Sequence, residues 1–308
     1  MGRETVLFPV TWEEGKWPVL QPVRGKMTTT TRSMPPVSRD VPGEGPFNGD
    51  PDVYDFVAGK PIPRNLVYWR VPREGAFTTT ANGLQIVPSR NNLTGTPRST
   101  ATPELSGQRG LAFIGRRQTD TLFNFSIDVT LNPTGVHQEA GVTVFLTQVN
   151  HIDLGVVLLP PPIAVGATTA GGGAAPQLAL RFHAEGTGVP PPDRIVPVPA
   201  TWAAGAPVRL HVRAANATHY TLSASAGGTD AGAVVVGTAS AELVSGKDNG
   251  QFTGSLVGVY ATCNGAGSGQ ECPAGAKSYF QRWRYTGAAQ QLSATESVPS
   301  ADMAKGGS

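Results

Sequence analysis

Charged side chains are scarce in this sequence: Asp, Glu, Lys and Arg make up 15% of its 308 residues, against roughly 25% in an average soluble domain. The formal net charge of +2 is too small to indicate nucleic acid or an anionic membrane as a partner. No apolar run approaches the roughly 18 residues that a membrane-spanning helix needs. The N-terminus lacks the apolar core of a signal peptide, and Val6 stands where the myristoylation pattern requires Ser or Thr.

Cysteine is also rare, and its placement bears on the compartment. Cys263 and Cys272 enclose a loop rich in glycine and serine; a disulfide there would close a short loop and contribute roughly 2–3 kcal/mol, and two free thiols are the alternative. Glycosylation sequons begin at Asn92, Asn124 and Asn216, although such triplets also arise by chance. Together these features favour a secreted, extracellular protein. A truncated N-terminus would reconcile this expectation with the missing signal peptide.

Glycine (38) and proline (27) are abundant instead, which is typical of an antiparallel sandwich of short strands and tight loops. The clearest strand is 123–131, where apolar residues from Phe123 to Leu131 alternate strictly with polar ones. No segment shows a helical stripe with caps. We therefore predict an all-β jelly-roll β-sandwich, with further strands at 66–71, 84–88, 111–117, 141–146, 152–159, 178–184, 208–214, 219–225, 255–261 and 278–285.

The chain divides by composition into three parts. Residues 1–50 are predicted to form an extended N-terminal arm and a linker rich in Thr, Pro and Gly. Residues 51–287 are predicted to form the β-sandwich, interrupted by a mobile Pro/Gly/Ala insertion at 160–176. Residues 288–308 lack a core pattern, so a disordered tail is expected.

The carboxylates do not occur in the pairs that glycoside hydrolysis requires. A retaining glycosidase needs two carboxylates about 5 Å apart, whereas Glu139, Asp128 and Asp153 each stand alone on their segments. The segment KSYFQRWRY offers the Tyr and Gln of a polysaccharide lyase, but in no convincing pattern. We predict no catalytic residue, and a stand-alone hydrolase or lyase remains the open alternative.

No metal site or cofactor is expected either. The five histidines form no His-x-His or His-Glu-x-x-His pair, so they are interpreted as surface or capping residues. Asp50, Asp52 and Asp55 suggest calcium, but the glycine and terminal Glu of a calcium loop are missing. A turn with solvated acids is the preferred interpretation. A structural calcium stays open without a supporting motif.

Exposed polar faces are the remaining candidates for function. Sugar recognition needs planar polar groups and an aromatic face. On predicted strands, Arg181 and His183 point away from the core, as do Arg209, His211 and Arg213, while Arg117, Gln138 and Glu139 lie near loops. An ordinary solvated sheet face is the alternative for each of them.

Several segments occur in the order found in one known family: GRETVLFPVTWEEGKWPVL, DVYDF, LVYWRVPRE, the stretch from LAFIGRRQ to VNHIDL, and GQFTGSLVGVYATCNGAGSG. They span about residues 2–287. Over this length the chain resembles the C-terminal concanavalin A-like sandwich of glycoside hydrolase family 43 β-xylosidases and α-L-arabinofuranosidases.

The resemblance implies an accessory role in the degradation of xylan or arabinan. In that family the catalytic acids lie in a five-bladed β-propeller on which the sandwich packs, and Phe252 matches the residue that helps to wall its pocket. Implied partners are this propeller and a xylo- or arabino-oligosaccharide. From the residues themselves we predict that Gln138, Glu139 and Arg117 near the concave face bind the sugar, with Phe252 at the rim. The apolar arm is the expected propeller interface. A purely structural or homo-oligomerising domain is the alternative.

Overall fold

A computed structural model describes residues 10–20, 52–97, 110–161, 175–202, 205–245, 254–268 and 271–300. Within them are a short 3-10 helix, Ala241–Val244, and the following strands: β1 (Val10–Thr11), β2 (Val19–Leu20), β3 (Asp52–Tyr54), β4 (Leu66–Tyr68), β5 (Phe77–Thr80), β6 (Gly83–Ile86), β7 (Phe113–Arg117), β8 (Leu122–Asn132), β9 (Glu139–Thr147), β10 (Asn150–Leu159), β11 (Gln177–Glu185), β12 (Arg194–Pro197), β13 (Val208–Ala214), β14 (His219–Ala226), β15 (Val234–Ser240), β16 (Leu256–Thr262), β17 (Lys277–Gln291) and β18 (Ser297–Pro299). No helix in this part of the chain is long and apolar enough to cross a membrane.

Two antiparallel sheets form a sandwich. One has the strand order β12-β11-β10-β9-β16-β7-β4, and the other β15-β14-β13-β8-β17-β6-β5, with β3 and β18 also paired to β17. β1 and β2 form a separate hairpin in the arm. The predicted all-β sandwich is confirmed.

The core lies between the sheets and follows the alternation seen in the sequence. On β8, Phe123, Phe125 and Ile127 are buried in the same apolar cluster as Val142 on β9 and Leu154 on β10. Fully burying an apolar side chain of this size stabilises the fold by roughly 1.5–3 kcal/mol. The period of two therefore sets which face of each strand turns inward.

The outer face of the seven-stranded sheet is partly covered as well. Leu93 and Leu111, from the segments before β7, join Phe113, Phe145 and Tyr260 in a second apolar cluster. As a result most of β9 and most of β10 are buried on both faces. Polar side chains that the sequence places on a solvated face are thereby removed from water.

The predicted disordered tail is wrong for residues 288–300. β17 continues to Gln291, and β18 pairs with its last residues. Ser300 donates a hydrogen bond to the buried carboxylate of Asp120. The segment is held by the backbone pairing of β17 with β18 and by the Ser300–Asp120 hydrogen bond, and neither depends on an alternation of apolar residues. Residues 301–308 lie outside the described residues.

Other differences concern short or edge elements. β3, β5, β12 and β15 were not predicted. β3 and β12 are short, and β5 and β15 lie at sheet edges, where the inward face is only partly buried and the alternation is weak; on β15 the buried residues are Val236 and Ala239. The predicted linker after residue 20 and most of the insertion at 160–176 lie outside the described residues.

The interpretation of the acids near residue 52 as solvated is wrong for Asp52. Its carboxylate is buried and lies 3.1 Å from the Arg116 guanidinium. Arg116 in turn stacks over the Tyr285 ring, 3.7 Å from the ring centroid. The charge is buried because it has a charged partner. Asp55 is exposed and pairs with Arg284 at 2.7 Å, and Asp50 lies outside the described residues.

Candidate functional site

A polar cluster occupies the outer face of the seven-stranded sheet beside the second apolar cluster. β10 and β11 pair so that His151 lies opposite Glu185, and Asp153 lies opposite His183. Since residues two apart on a strand share a face, these four side chains form a square array. The sequence shows them only as His-Ile-Asp and His-Ala-Glu, and the register brings the two triplets together.

Glu139, at the start of β9, is the hub of one half of the cluster. It is 2% exposed. Its Oε1 accepts a hydrogen bond from the Tyr260 hydroxyl at 2.6 Å, and its Oε2 accepts one from Asn264 Nδ2 at 2.8 Å. Arg181 forms an ion pair with the same Oε2. Each oxygen is therefore engaged, which suits a structural carboxylate better than a proton-transferring one.

His151, only 1% exposed, organises the other half. Its Nδ1 donates to Asp153 Oδ2 at 2.7 Å, and its Nε2 lies 3.2 Å from Thr94 Oγ1 and 3.7 Å from Glu185 Oε2. Thr94 donates to the same Glu185 oxygen at 2.8 Å. The interpretation of all histidines as surface or capping residues is wrong for His151, because the 87–97 segment and Phe145 cover it.

The electrostatics of the cluster follow from burial and close charges. Burial alone would lower the pKa of His151, but the carboxylates of Asp153 and Glu185 together raise it above its usual value. Burial raises the pKa of Tyr260 well above its usual value, and the charge of Glu139 raises it further. Tyr260 is therefore a neutral hydrogen-bond donor at ordinary pH.

The cavity that this cluster lines is small. Its volume is about 20 Å³, room for one water or ion and too little for a sugar ring. Asp153 Oδ1 is buried and makes no hydrogen bond to the part of the chain that the structure describes. A polar cavity of this size favours a small hydrated or ionic occupant.

A larger cavity lies at one end of the sandwich, where Gln118, Asn216, Tyr220 and Ser255 meet. Its volume is about 130 Å³, close to the roughly 150 Å³ of an engineered cavity that holds a benzene ring. The Tyr220 hydroxyl donates to Gln118 Oε1 at 2.8 Å. Burial raises the pKa of Tyr220 to about 12, so this hydroxyl keeps its proton.

The structure does not bring the predicted sugar-binding residues together. Arg117 pairs with Leu256 at the start of β16, and Glu139 pairs with Thr262 at its end; this stretch of strand spans about 20 Å. Gln138 is buried, and its amide exchanges hydrogen bonds with Thr134. Phe252 lies outside the described residues.

Of the disulfide and glycosylation candidates, Asn92 and Asn216 border a cavity. Cys263 and Cys272 are joined by a disulfide. Asn124 is exposed on β8, and Asn216 is exposed in the turn before β14 and borders the larger cavity. Asn92, half-buried, accepts from the Thr96 backbone at 2.9 Å and borders the smaller cavity. Glycosylation at these sites stays a prediction.

A second polar cluster lies on the outer face of the nine-stranded sheet. The buried carboxylate of Asp128 lies 2.9 Å from Arg209 Nη1 and also pairs with Arg282. Arg209 reaches Asp230 at 2.5 Å. Burial lowers the pKa of His211 beside it, although Asp230 acts in the opposite direction. These groups satisfy one another, and neither cavity is lined by them.

Solved structures with a similar architecture extend over most of the chain. The Bacteroides ovatus protein titled Xyloglucan PUL GH43B has a TM-score of 0.60 at 24% identity, covering 92% of this chain and 47% of that one. The GH43 BlXynB protein of Bacillus licheniformis has a TM-score of 0.62 at 18% identity, with coverages of 92% and 47%. At these identities the likeness shows the fold.

Sequence comparison gives the family. Among curated proteins, the non-reducing end alpha-L-arabinofuranosidase BoGH43B of Bacteroides ovatus is 27% identical over 270 residues, covering 86% of this chain and 42% of that protein. This chain thus spans less than half of that relative's length. The family model described as the beta xylosidase C-terminal concanavalin A-like domain matches residues 55–285. The chain therefore belongs to the family of glycoside hydrolase family 43 C-terminal concanavalin A-like domains.

Proposed function

We propose that this chain is the accessory, carbohydrate-binding domain of a xylan- or arabinan-degrading glycosidase and packs on a catalytic β-propeller. The observation that carries the proposal is an apolar hairpin left in solvent, on a chain that belongs to this family. Trp12 is 74% exposed and Trp17 is 91% exposed.

Hydrogen bonds between its own residues close this hairpin. The Lys16 backbone donates to the Glu13 carbonyl at 3.1 Å, closing the turn, and the Trp12 indole donates to the Lys16 carbonyl at 3.0 Å. β1 pairs with β2. An indole buries 150–250 Å², so covering each one would contribute roughly 4–6 kcal/mol before the costs of association. Exposed tryptophans of this kind mark an interaction surface.

Packing is tested with a purified family 43 propeller from the same source. We expect a one-to-one complex in analytical ultracentrifugation, and the double variant Trp12→Ser, Trp17→Ser weakens it at least tenfold. The matched control is Val189→Ser, which removes an equally exposed apolar side chain, 93% accessible, from the loop between β11 and β12. Equal affinity for the hairpin variant and the control would refute the interface.

Sugar binding is proposed for the larger cavity, near Arg117. Its volume suits one pyranose-sized ring, and it presents the amides of Gln118 and Asn216 and the hydroxyl of Ser255. Amides and hydroxyls pair with sugar hydroxyls. A shallow site with few such groups gives weak affinity, with dissociation constants of about 0.1–1 mM, or about −4 to −5.5 kcal/mol.

The sugar proposal is tested by titrating xylotetraose and arabinotriose in a calorimeter. Ala217→Trp places a large ring in the cavity from an exposed position and is expected to abolish binding, while Ala217→Ser is expected to preserve it. Undiminished binding by Ala217→Trp would exclude this cavity. No binding of either sugar by the unmodified chain would exclude the carbohydrate-binding role.

Two further measurements test the pocket wall and the absence of catalysis. Phe252→Ala is expected to weaken the sugar-bound propeller complex, and an unchanged complex would remove Phe252 from the pocket wall. The purified chain is expected not to cleave nitrophenyl xyloside or arabinoside. Cleavage that disappears in Glu139→Gln would replace the accessory role with a catalytic one.

A further inference from the structure

We propose that His151, His183 and Glu185 form a binding site for a divalent transition metal, zinc being the best match. One ring nitrogen of each imidazole and one carboxylate oxygen of Glu185 lie within 4.8 Å of one another. Glu185 Oε2 is 3.7 Å from His151 Nε2 and 3.8 Å from His183 Nε2. This site goes beyond the accessory role proposed above and does not depend on it.

Each imidazole is oriented by a carboxylate on its other nitrogen. His151 Nδ1 is 2.7 Å from Asp153 Oδ2, and His183 Nδ1 is 2.7 Å from Asp193 Oδ1. Such a carboxylate fixes the tautomer whose Nε2 can coordinate, and it raises the basicity of the ligand. At His151 the metal would replace the contact of Nε2 with Thr94 Oγ1 at 3.2 Å. Two histidines on neighbouring strands share this arrangement, and both Nε2 atoms face the same Glu185 oxygen.

The dimensions fit a small ion. Zinc–ligand distances of about 2.0–2.1 Å place tetrahedral ligands about 3.3 Å apart. The separations of 3.7 and 3.8 Å from Glu185 Oε2 need to shrink by about half an ångström, and the two imidazole nitrogens, which lie within 4.8 Å of each other, must also approach. The adjoining cavity of about 20 Å³ holds one ion or water. Thr94 donates to Glu185 Oε2 at 2.8 Å and steadies the carboxylate.

The donor set selects the metal. Two imidazoles and one carboxylate suit zinc, nickel or copper, whereas calcium takes six to eight oxygen ligands. The side chains of His183 and Glu185 are each 34% exposed, so an ion can enter from solvent and keep a water as fourth ligand. The bound metal would tie β10 to β11 in the native state alone, so we expect zinc to raise the melting temperature.

Tag-free protein is stripped with a chelator, titrated with zinc chloride in a calorimeter, and its metal content is measured after desalting. We expect one zinc per chain and a melting temperature that rises with zinc. His183→Gln and Glu185→Gln each lower the affinity at least tenfold, and Asp193→Asn lowers it about 10–100-fold by releasing the His183 ring. Cobalt in place of zinc should show the visible absorption bands of a four-coordinate site.

His219→Gln is the matched control, because His219 is exposed and its Nδ1 contacts only the neighbouring Thr218 hydroxyl among the described residues. It is expected to bind zinc as the unmodified chain does. The variants at His183 and Glu185 replace partly exposed side chains, and far-ultraviolet circular dichroism checks that they fold. No stoichiometric zinc, or equal affinity in His183→Gln and His219→Gln, would overturn the site and leave a charge-paired cluster.

Discussion

Replacing Glu139 by Gln tests whether this carboxylate is the structural hub of the buried cluster. The change keeps the shape of the side chain and removes the charge that faces Arg181. Breaking a fully buried ion pair costs about 3–5 kcal/mol. The Arg181 side chain is 27% exposed, so water can partly compensate it, and we expect the free energy of unfolding to fall by about 2–3 kcal/mol.

Glu271→Gln is the matched control, since it removes a carboxylate that pairs with Arg73 but is 59% exposed. An exposed pair contributes about 0–1 kcal/mol. Urea unfolding followed by tryptophan fluorescence gives both free energies, and the melting temperature of Glu139→Gln should fall by about 4–12 °C. A loss in Glu139→Gln no larger than that in Glu271→Gln would refute the buried hub.

Two further predictions concern packing and titration. Gly155→Ala should lower the free energy of unfolding by about 1–3 kcal/mol, because the added Cβ would lie 2.7 Å from the Tyr260 hydroxyl oxygen. The control is Gly135→Ala, whose Cβ has no neighbour closer than 3.8 Å and which should change the free energy of unfolding by less than about 0.5 kcal/mol. Equal losses in the two variants would contradict this packing. Burial lowers the pKa of His211, so the unfolded chain takes up this proton at a higher pH than the folded chain does. The stability that His211 contributes is therefore lost as the pH falls below about 6.5. Between pH 7.5 and 5.5, chemical denaturation should show a smaller loss of unfolding free energy for His211→Asn than for the unmodified chain, and an identical loss would contradict this prediction.

The alternation on β8 was sufficient to predict a half-buried strand, because the period of two is a local property of the chain. Phe123, Phe125 and Ile127 are buried where the pattern placed them. The motif order likewise predicted the family, which the match over residues 55–285 confirms. Edge strands such as β5 were missed because an edge needs little apolar burial.

The polar clusters could not be predicted from the sequence. Glu139 looked isolated because its partners Arg181, Tyr260 and Asn264 are 42, 121 and 125 residues away along the chain. His151 looked like a surface residue because nothing local shows that another segment covers its strand. Arg117 and Glu139 were predicted to bind the same sugar, although they pair with residues at opposite ends of β16.

The sequence by itself determined the strands with a clear alternation, their inward faces and the family, since each depends on the order of residues within short segments. Tertiary structure alone decided the register that places His-Ile-Asp opposite His-Ala-Glu, and the loop that covers them. Both depend on contacts between segments that are distant in the sequence, and these contacts bring separate polar residues into one partly buried, hydrogen-bonded cluster.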